Sequence, residues 1–468
     1  MSSFPMTNAK KVLFLIPDGV GIRNYLYSDV IKHIKENASI VFWSPLAEEA
    51  FKEVYELHDI DVEYQQIKLP VENAITRLCR EAATYARLNH YAKKMSNPTI
   101  LVVWRRPKNN KKLWLLYIMA EVLGKWASKK YQRILKLERM AQRHWSNAVI
   151  SNYKGKLKAV APHSIFITHQ RVAGLNPISL AAKELDIPTT TAIYSWDNLP
   201  KARLSVKTDH YLVWSNWMKD EMHTYYPEIP ENNIKLVGTP QFDFYAQNER
   251  LRSKEEFASK YGLDAQKKWI CFSGDDVRTS PYDPDYLRDI ANALSRMSDS
   301  DRPQLIFRRC PADFSDRYDT VLAQYPELIV AIDPLWNSKA NNWGGFFPKL
   351  ADIDLQVNLA FHCEAVINLG STMAHDFTNF GKPCLYINYD QPHAKNWSVD
   401  TIYKYQHFRT MEGLQAVGWL NGKDEIVDKL QQLMENPDTI GPDKELWMKK
   451  VVRHPLKESS KLIAQTLL

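Results

Sequence analysis

Cysteine is scarce in this sequence and forms no recognisable pattern. The 468 residues include five cysteines, with no Cys-x-x-Cys pair and no Cys/His spacing typical of zinc ligands. They are Cys79, Cys271, Cys310, Cys363 and Cys384. The sequence therefore predicts neither a disulfide framework nor a bound metal, and it favours a reducing compartment.

Long hydrophobic runs are also absent. No apolar run reaches the roughly 18 residues that a membrane-spanning helix needs, and residues 1–11 lack the apolar core of a secretion signal. The chain has no repeat of solenoid period and no low-complexity segment. Because 45% of its residues are hydrophobic and 25% are charged, we expect a globular cytoplasmic protein of two or three domains.

Positive charge is concentrated in one segment. Between Arg77 and Arg143 the chain has seventeen Lys or Arg residues and three acidic ones, whereas the remainder is net acidic. The pattern predicts two long helices with a basic turn beside an aromatic and apolar face. That face comprises Trp104, Trp114, Leu115, Leu116, Tyr117 and Trp126. Such a surface suits an anionic membrane, although a solvated helical face with inward aromatics has the same pattern. No nucleic-acid-binding motif accompanies the charge, and we expect no nucleic-acid partner.

Short β-branched or aromatic runs alternate with amphipathic helical patterns along most of the chain. The runs before residue 240 are KVLFLI, SIVFW, VEYQQI, SIFIT, TTTAIY, HYLVW and IKLVG. Those after the charged stretch 248–262 are KWICFSG, QLIFR, LIVAI, EAVINLG and CLYIN. This alternation is typical of parallel α/β units, so we predict two Rossmann-like domains that face each other across a cleft.

The predicted domain boundaries follow from these two series. The N-terminal domain covers residues 1–240 and includes a basic helical insertion at about 72–155, and the C-terminal domain covers 241–445. A final helical pattern at 446–468 follows a break that contains proline and glycine, and it could pack back on the N-terminal domain.

The stretch PDGVGIRN follows the first predicted strand, where a nucleotide-binding protein cradles phosphates. Gly19 and Gly21 fit that role, but Asn24 stands where a dinucleotide fingerprint needs a third glycine. The local pattern therefore fits either a tight turn between strand and helix or a functional loop.

The second half offers a stronger candidate for anion binding. In EAVINLGSTMAHDF a predicted strand ends at Gly370, and Ser371 and Thr372 precede a predicted helix that carries Asp376. Backbone N–H groups at such a junction can bind a diphosphate, and an ordinary helix N-cap would have the same sequence. Gly274 in CFSGDD lies at another strand end. So does Arg308 in IFRRCPADF, where it could either bind phosphate or be an exposed arginine.

The order of several segments resembles that of bacterial surface-polysaccharide glycosyltransferases with the GT-B fold. The segments are YSWDNLPKARLSVKTDHYLVWSNWMKDEM, KLVGTPQFDFY, IFRRCPADF and VINLGSTMAHDFTNFGKPCLYINYD. The likeness covers about half of the chain, roughly residues 164–390. More distantly, the chain is similar to glycerophosphotransferases of teichoic-acid synthesis and to non-hydrolysing nucleotide-sugar 2-epimerases.

The resemblance implies that the C-terminal domain holds a nucleotide-activated donor and that no metal or other cofactor is needed. Residues 370–372 would contact the phosphates, Asp376 the ribose and Arg308 the diphosphate. Gly274 would belong to the same pocket. The chain lacks the pair of Glu residues eight apart that many retaining transferases of this fold carry, so inversion is expected. It also has Cys310 where relatives often have the histidine of Arg-x-His-Pro, which leaves no general acid at that turn.

The resemblance also assigns PDGVGIRN to the N-terminal loop that faces the reacting centre. Asp18, the carboxylate of that loop, is then the predicted catalytic base, with Asp197 and His169 as alternatives at strand ends of the same domain. Asp18 could instead only cap the following turn.

The function implied is transfer of a sugar from a nucleotide donor to an envelope glycan or glycolipid precursor. The enzyme would act on the inner face of the cell membrane and contact anionic lipid through residues 77–143. A 2-epimerase, a CDP-polyol phosphotransferase and a carbohydrate-binding scaffold are the alternatives, because fold does not determine function.

Overall fold

A computed structural model describes residues 10–337 and 346–468. Residues 1–9, which include most of the segment used to argue against a secretion signal, lie outside the described residues. Each half of the chain contains one parallel sheet with helices on both faces. This architecture confirms the predicted α/β fold class.

The first sheet has seven parallel strands in the order β3-β2-β1-β4-β5-β6-β7. They are β1 (Lys10–Leu15), β2 (Ala38–Ser44), β3 (Glu63–Gln66), β4 (Ser164–Ile167), β5 (Thr189–Ala192), β6 (His210–Val213) and β7 (Ile234–Leu236). The central strands are buried on both faces, and Phe14 of β1 packs edge-on against Phe42 and Phe166 of the flanking strands. Continuous apolar runs form such strands because helices cover both faces of the sheet.

The second sheet has six parallel strands in the order β10-β9-β8-β13-β14-β15, and a two-stranded hairpin, β11 with β12, lies apart from it. The strands are β8 (Trp269–Ser273), β9 (Gln304–Arg308), β10 (Ile329–Ile332), β11 (Trp336–Asn337), β12 (Phe347–Pro348), β13 (Ala365–Asn368), β14 (Cys384–Ile387) and β15 (Gly418–Leu420). All twelve predicted strands form. The hairpin was missed because strands of two residues are too short to show alternation, and β15 was missed although it is as long as β7.

The helices of the N-terminal half are α1 (Gly19–Gly21), α2 (Val30–Lys35), α3 (Lys52–His58), α4 (Ala74–Lys94), α5 (Lys111–Ala127), α6 (Tyr131–Arg143), α7 (Asn147–Val160), α8 (Asn176–Lys183) and α9 (Asn216–Tyr225). Those of the C-terminal half are α10 (Lys254–Tyr261), α11 (Asp283–Ser295), α12 (Asp319–Gln324), α13 (Leu350–His362), α14 (Met373–Thr378), α15 (Val399–Tyr403), α16 (Ile426–Glu435), α17 (Lys444–Val451) and α18 (Ser459–Leu467).

Three α-helices, α4 to α6, cover most of residues 77–143, where two were expected, and α7 follows and extends past the predicted end of the insertion at about 155. Helix α4 packs against α5 and α6 through small residues, and a Cβ at Gly124 of α5 would lie 2.8 Å from the carbonyl oxygen of Ala82. The long helix expected after the basic turn is divided into α5 and α6 by residues 128–130. None of the helices in the described ranges has an apolar stretch long enough to cross a bilayer.

The C-terminal segment forms two helices where one pattern was expected. Helix α17 contacts α9 and α14, whereas α18 contacts α2 and β4 of the first sheet. Between them lies Pro455, which has no backbone N–H to continue a helix. The chain therefore crosses back to the N-terminal half at its end.

Candidate functional site

A cavity of about 330 Å³ lies between the two sheets. In the first sheet the strand order changes direction between β1 and β4, and in the second between β8 and β13. Ligands of doubly wound sheets bind beyond the carboxyl ends of the strands at such switch points. The cavity is lined by residues that follow β1 and β5 on one side and β8, β9 and β13 on the other.

The two glycines of PDGVGIRN permit close contacts between chain segments. A Cβ at Gly19 would lie 2.5 Å from the carbonyl oxygen of Phe346, across the cleft, and one at Gly21 would lie 2.5 Å from Oγ1 of Thr168. Neither position therefore tolerates a side chain without movement. The same loop places Val20, Arg23 and Asn24 on the cavity wall.

Asp18 and His169 form a hydrogen-bonded pair at the switch point of the first sheet. Asp18 caps α1 by accepting hydrogen bonds from the N–H groups of Val20 (3.1 Å) and Gly21 (3.3 Å) through Oδ1. Its Oδ2 lies 2.5 Å from Nδ1 of His169. Burial alone would raise the pKa of Asp18, but His169 and the two N–H groups lower it below its usual value. Asp18 is therefore a hydrogen-bonded carboxylate.

The hydrogen bond to Asp18 determines which nitrogen of His169 can act as a base. Because Nδ1 donates to Asp18, the lone pair of a neutral ring is on Nε2. This nitrogen is buried and has no hydrogen-bond partner within residues 10–337 and 346–468. The ring stacks on Tyr194, with centroids 4.2 Å apart, and Tyr194 lines the cavity. The pair therefore lies directly behind the cavity wall.

Asp197 is held in a separate set of interactions. It forms an ion pair with Lys201 and accepts a hydrogen bond of 2.7 Å from Nδ2 of Asn198. Burial would raise its pKa, but Lys201 and the neighbouring His407 lower it far below the usual range. A carboxylate stabilised in this way is a weak proton acceptor.

Across the cleft, Ser371 and Thr372 line the cavity. The N–H of Ser371 donates to Oδ1 of Asn368 (2.9 Å), and Nε1 of Trp196 donates to Oγ1 of Thr372 from the other domain (3.3 Å). Gly370 does not line the cavity. Its φ of +73° and a ring carbon of Phe408 2.8 Å from a would-be Cβ restrict this turn to glycine.

Asp376 lies on α14 and faces the cavity. Tyr245 donates a 2.7 Å hydrogen bond to its Oδ1. Burial raises the pKa of Asp376 to about 6, although Tyr245, the positive charge of Arg23 and Gln356 oppose the shift. The sequence did not indicate that Tyr245 would bond to this carboxyl group or that the charge of Arg23 would lie near it, because Tyr245 is 131 residues away in the chain and Arg23 belongs to the N-terminal half.

Arg308 lines the cavity but is already paired. Its Nη2 donates to Oδ1 of the buried Asp352 (2.7 Å), while Nη1 is buried with no hydrogen-bond partner in the described parts of the chain. Gly274 lies beside it, and its N–H donates to the carbonyl oxygen of Arg308 (2.9 Å). A Cβ at Gly274 would lie 2.6 Å from the hydroxyl of Tyr318. One guanidinium nitrogen of Arg308 is therefore left without a hydrogen bond in the described residues.

Asp275 is a cavity residue that sequence reasoning missed. Burial, together with the nearby carboxyl groups of Asp276 and Asp283, raises its pKa to about 8. Such a shift is common at functional sites. The adjacent acidic residues in CFSGDD were the available signal.

Loops of the two domains touch beside the cavity. Arg23 donates a 2.8 Å hydrogen bond to Gln356, and the hydroxyl of Tyr27 donates to the carbonyl oxygen of Pro348 (3.0 Å). Together with the close approach at Gly19, these contacts join the two halves of the chain beside the cavity. No group of three His, Cys, Asp or Glu side chains suited to a metal ion occurs in the regions that the structure describes.

Comparison with solved structures identifies the fold. A putative UDP-N-acetylglucosamine 2-epimerase from Listeria monocytogenes has a TM-score of 0.53 and 10% identity, with 98% of this chain and 96% of that chain covered. The UDP-GlcNAc 2-epimerase from Methanocaldococcus jannaschii has a TM-score of 0.52 and 11% identity, with 98% and 99% covered. A UDP-GlcNAc 2-epimerase from Neisseria meningitidis bound to UDP-GlcNAc has a TM-score of 0.50 and 12% identity, with 98% of this chain and 99% of that chain covered.

No protein-family model matches the sequence, and no curated protein matches it significantly. The identities to the solved structures are low, so the likeness defines the class of fold and leaves the activity open. The chain has a GT-B-like fold, as the sequence resemblance implied.

Proposed function

We propose that this protein is an inverting glycosyltransferase, in which the C-terminal domain binds a nucleotide-activated sugar and the N-terminal domain binds the acceptor. The observation that carries the proposal is the Asp18–His169 pair, which lies at one switch point while the candidate donor pocket lies at the other. An orienting carboxylate, a histidine base and a facing anion pocket are the groups that an acyl or glycosyl transfer to a hydroxyl requires.

The geometry favours His169 rather than Asp18 as the base. Nε2 of His169 would remove the proton of the acceptor hydroxyl as that oxygen attacks the anomeric carbon, and the bond to the nucleoside diphosphate would break. Asp18 would hold the ring in the required tautomer and stabilise the imidazolium that forms. Because Nε2 is shielded, the acceptor reaches it only when the loops that carry Asp18 and Tyr194 separate.

The leaving diphosphate would be stabilised in the C-terminal pocket. Ser371 and Thr372 supply hydroxyl groups at the cavity surface, and Nη1 of Arg308 supplies an unused donor. Helix α14 has only six residues, so its dipole adds less than the side chains do. Asp376 would accept a hydrogen bond from the ribose.

The acceptor proposed is an envelope glycan or glycolipid precursor at the cytoplasmic face of a membrane. One face of α5 supports membrane contact, because Trp114 (44% exposed), Leu115 (54%), Val122 (67%) and Trp126 (50%) are exposed on it. Exposed lysines lie along and beside this face. They are Lys111, Lys112, Lys125, Lys129 and Lys130. Apolar side chains with basic neighbours suit the surface of an anionic bilayer.

The other three residues of the expected face, Trp104, Leu116 and Tyr117, are buried or half-buried. Leu116 is buried, and Trp104 packs on Tyr85 and Tyr117 and donates to Glu121 (3.0 Å). Helix α5 is therefore apolar on both sides, and only one side is covered by protein in the described chain.

A thermal-shift screen against UDP-, GDP-, CMP- and CDP-linked sugars tests the proposal. We expect one donor class to stabilise the protein by several degrees, because ligand binding to the native state raises its stability. That donor is then incubated with and without candidate acceptors. Conversion to a new nucleotide sugar without acceptor would identify an epimerase instead, and stabilisation by no nucleotide would favour the carbohydrate-binding alternative.

A further inference from the structure

Arg171 is a cation near the carboxyl end of β4 for which the described residues supply no hydrogen bond or ion pair. It lies two residues after His169, in the turn that follows β4, and its side chain is half-buried. Within residues 10–337 and 346–468 its guanidinium makes no hydrogen bond and no ion pair. Two other arginines of the same half do form ion pairs: Arg87 with Glu138, and Arg203 with Glu81.

The turn that carries Arg171 is held against the loop after β5. Gln170 donates to Oδ1 of Asn198 (3.1 Å) and accepts from the N–H of Tyr194 (3.0 Å). These bonds place Arg171 near Tyr194 and Asp197, and its charge acts on the pKa of Tyr194. The negative charge of Asp197 is already compensated by Lys201.

The surroundings of Arg171 disfavour an isolated positive charge. Burial lowers the pKa of Arg171, Asp197 opposes the shift, and the positive charge of Arg203 adds to it. A half-buried guanidinium that forms no ion pair gains most from an oxyanion, because its N–H groups match two oxygens of a carboxylate or phosphate in a two-bond fork.

We propose that Arg171 binds an anionic group of the acceptor, a phosphate or a carboxylate, beside the hydroxyl that His169 deprotonates. This inference rests on the proposed function. The Cα atoms of His169 and Arg171 are two residues apart and so at most about 7.6 Å from each other. The acceptor class that fits is a sugar or polyol that carries both a reactive hydroxyl and an anionic group.

Anion binding by the nucleotide-loaded protein tests this site. The donor pocket is first saturated with the nucleotide found in the thermal-shift screen, so that added anions cannot bind there. Glycerol 3-phosphate and glycerate are then titrated calorimetrically into wild type, Arg171→Gln, Arg171→Lys and the control Arg296→Gln. Arg296 is an exposed arginine of the other domain.

We expect wild type and Arg296→Gln to bind one of the two anions equally well and Arg171→Gln to bind it at least about tenfold more weakly. Arg171→Lys should be intermediate, because it keeps the charge but not the fork. Tighter binding of glycerol 3-phosphate assigns the acceptor group as a phosphate, and tighter binding of glycerate assigns it as a carboxylate.

Two results would overturn the inference: no anion binding by wild type, or equal binding by wild type and Arg171→Gln. Should Arg171→Gln fail to fold, as judged by circular dichroism, Arg171→Lys decides the question in the same assay. Nucleotide binding is measured on the same samples. Its absence in wild type contradicts the proposed function, whereas nucleotide binding without an effect at Arg171 contradicts this inference alone.

Discussion

Substitution of the Asp18–His169 pair gives the sharpest test of the proposed chemistry. In Asp18→Asn the amide oxygen can still accept the N–H groups of Val20 and Gly21, so the cap of α1 is kept. The amide nitrogen then faces Nδ1 of His169, which lies 2.5 Å from Oδ2 in the wild type. Two donors cannot share that contact, so the ring must place its lone pair on Nδ1 and its proton on Nε2. The variant therefore keeps the cap of α1 but has no lone pair on Nε2 of His169 to accept a proton.

The expected magnitude follows from the role assigned to each residue. A positioned general base contributes about 10² to 10⁴ in rate, so His169→Gln should lower kcat by that factor. Asp18→Asn should lower it by at least about 10², since a histidine in the wrong tautomer cannot take the proton. The affinity for the donor should be unchanged in both variants, because neither side chain lines the cavity.

Single-turnover rates and donor affinity measured on the same preparations check this prediction. Asp61→Asn, at an exposed site, is the matched control for loss of a carboxylate and should behave as wild type. Turnover of His169→Gln within a few-fold of wild type would refute His169 as the base. A large loss in His169→Gln with none in Asp18→Asn would refute only the orienting role of Asp18.

Three further predictions concern the donor pocket and the membrane face. The folded-state pKa of Asp376, about 6, lies above its unfolded value, so wild-type stability should fall as pH rises from about 4 to about 6. Asp376→Asn should remove this loss, so its free energy of unfolding at pH 7 should be higher than that of wild type by up to about 3 kcal/mol. The variant should also bind nucleotide more weakly. Thermal melts across pH measure the first effect, and nucleotide titrations measure the second. Ser371→Leu combined with Thr372→Leu should abolish nucleotide binding in calorimetry with the far-UV spectrum unchanged, and undiminished affinity would exclude this pocket. Wild type should sediment with anionic liposomes in a salt-sensitive way, and Leu115→Glu with Val122→Glu should not; equal sedimentation with neutral liposomes, or none, would contradict membrane docking.

The alternation of apolar runs and helical patterns was sufficient to predict the fold class and twelve of the fifteen strands in the described residues. Parallel strands that are buried on both faces are apolar along their length, so runs such as KVLFLI are visible without tertiary information. The hairpin β11–β12 was not predictable, because Trp336–Asn337 and Phe347–Pro348 form strands only by pairing with each other.

The donor side of the site was visible in part. Ser371, Thr372 and Asp376 follow a strand in sequence and line the cavity, since loops after parallel strands meet at one edge of the sheet. The interactions of those residues were not visible. Tyr245 reaches Asp376 only because the two segments, far apart in the chain, pack against each other.

By itself, the sequence determined which side chains stand at the ends of strands, because that position depends on local pattern. Only the tertiary structure decided which partners each of them has. Asp18 and His169 are 151 residues apart, yet the crossing of the chain from β1 to β4 makes them hydrogen-bonded neighbours. Asp197, an alternative candidate in sequence, instead forms an ion pair with Lys201. The strength of a base depends on its partners, and partners are set by packing between segments that no local pattern relates.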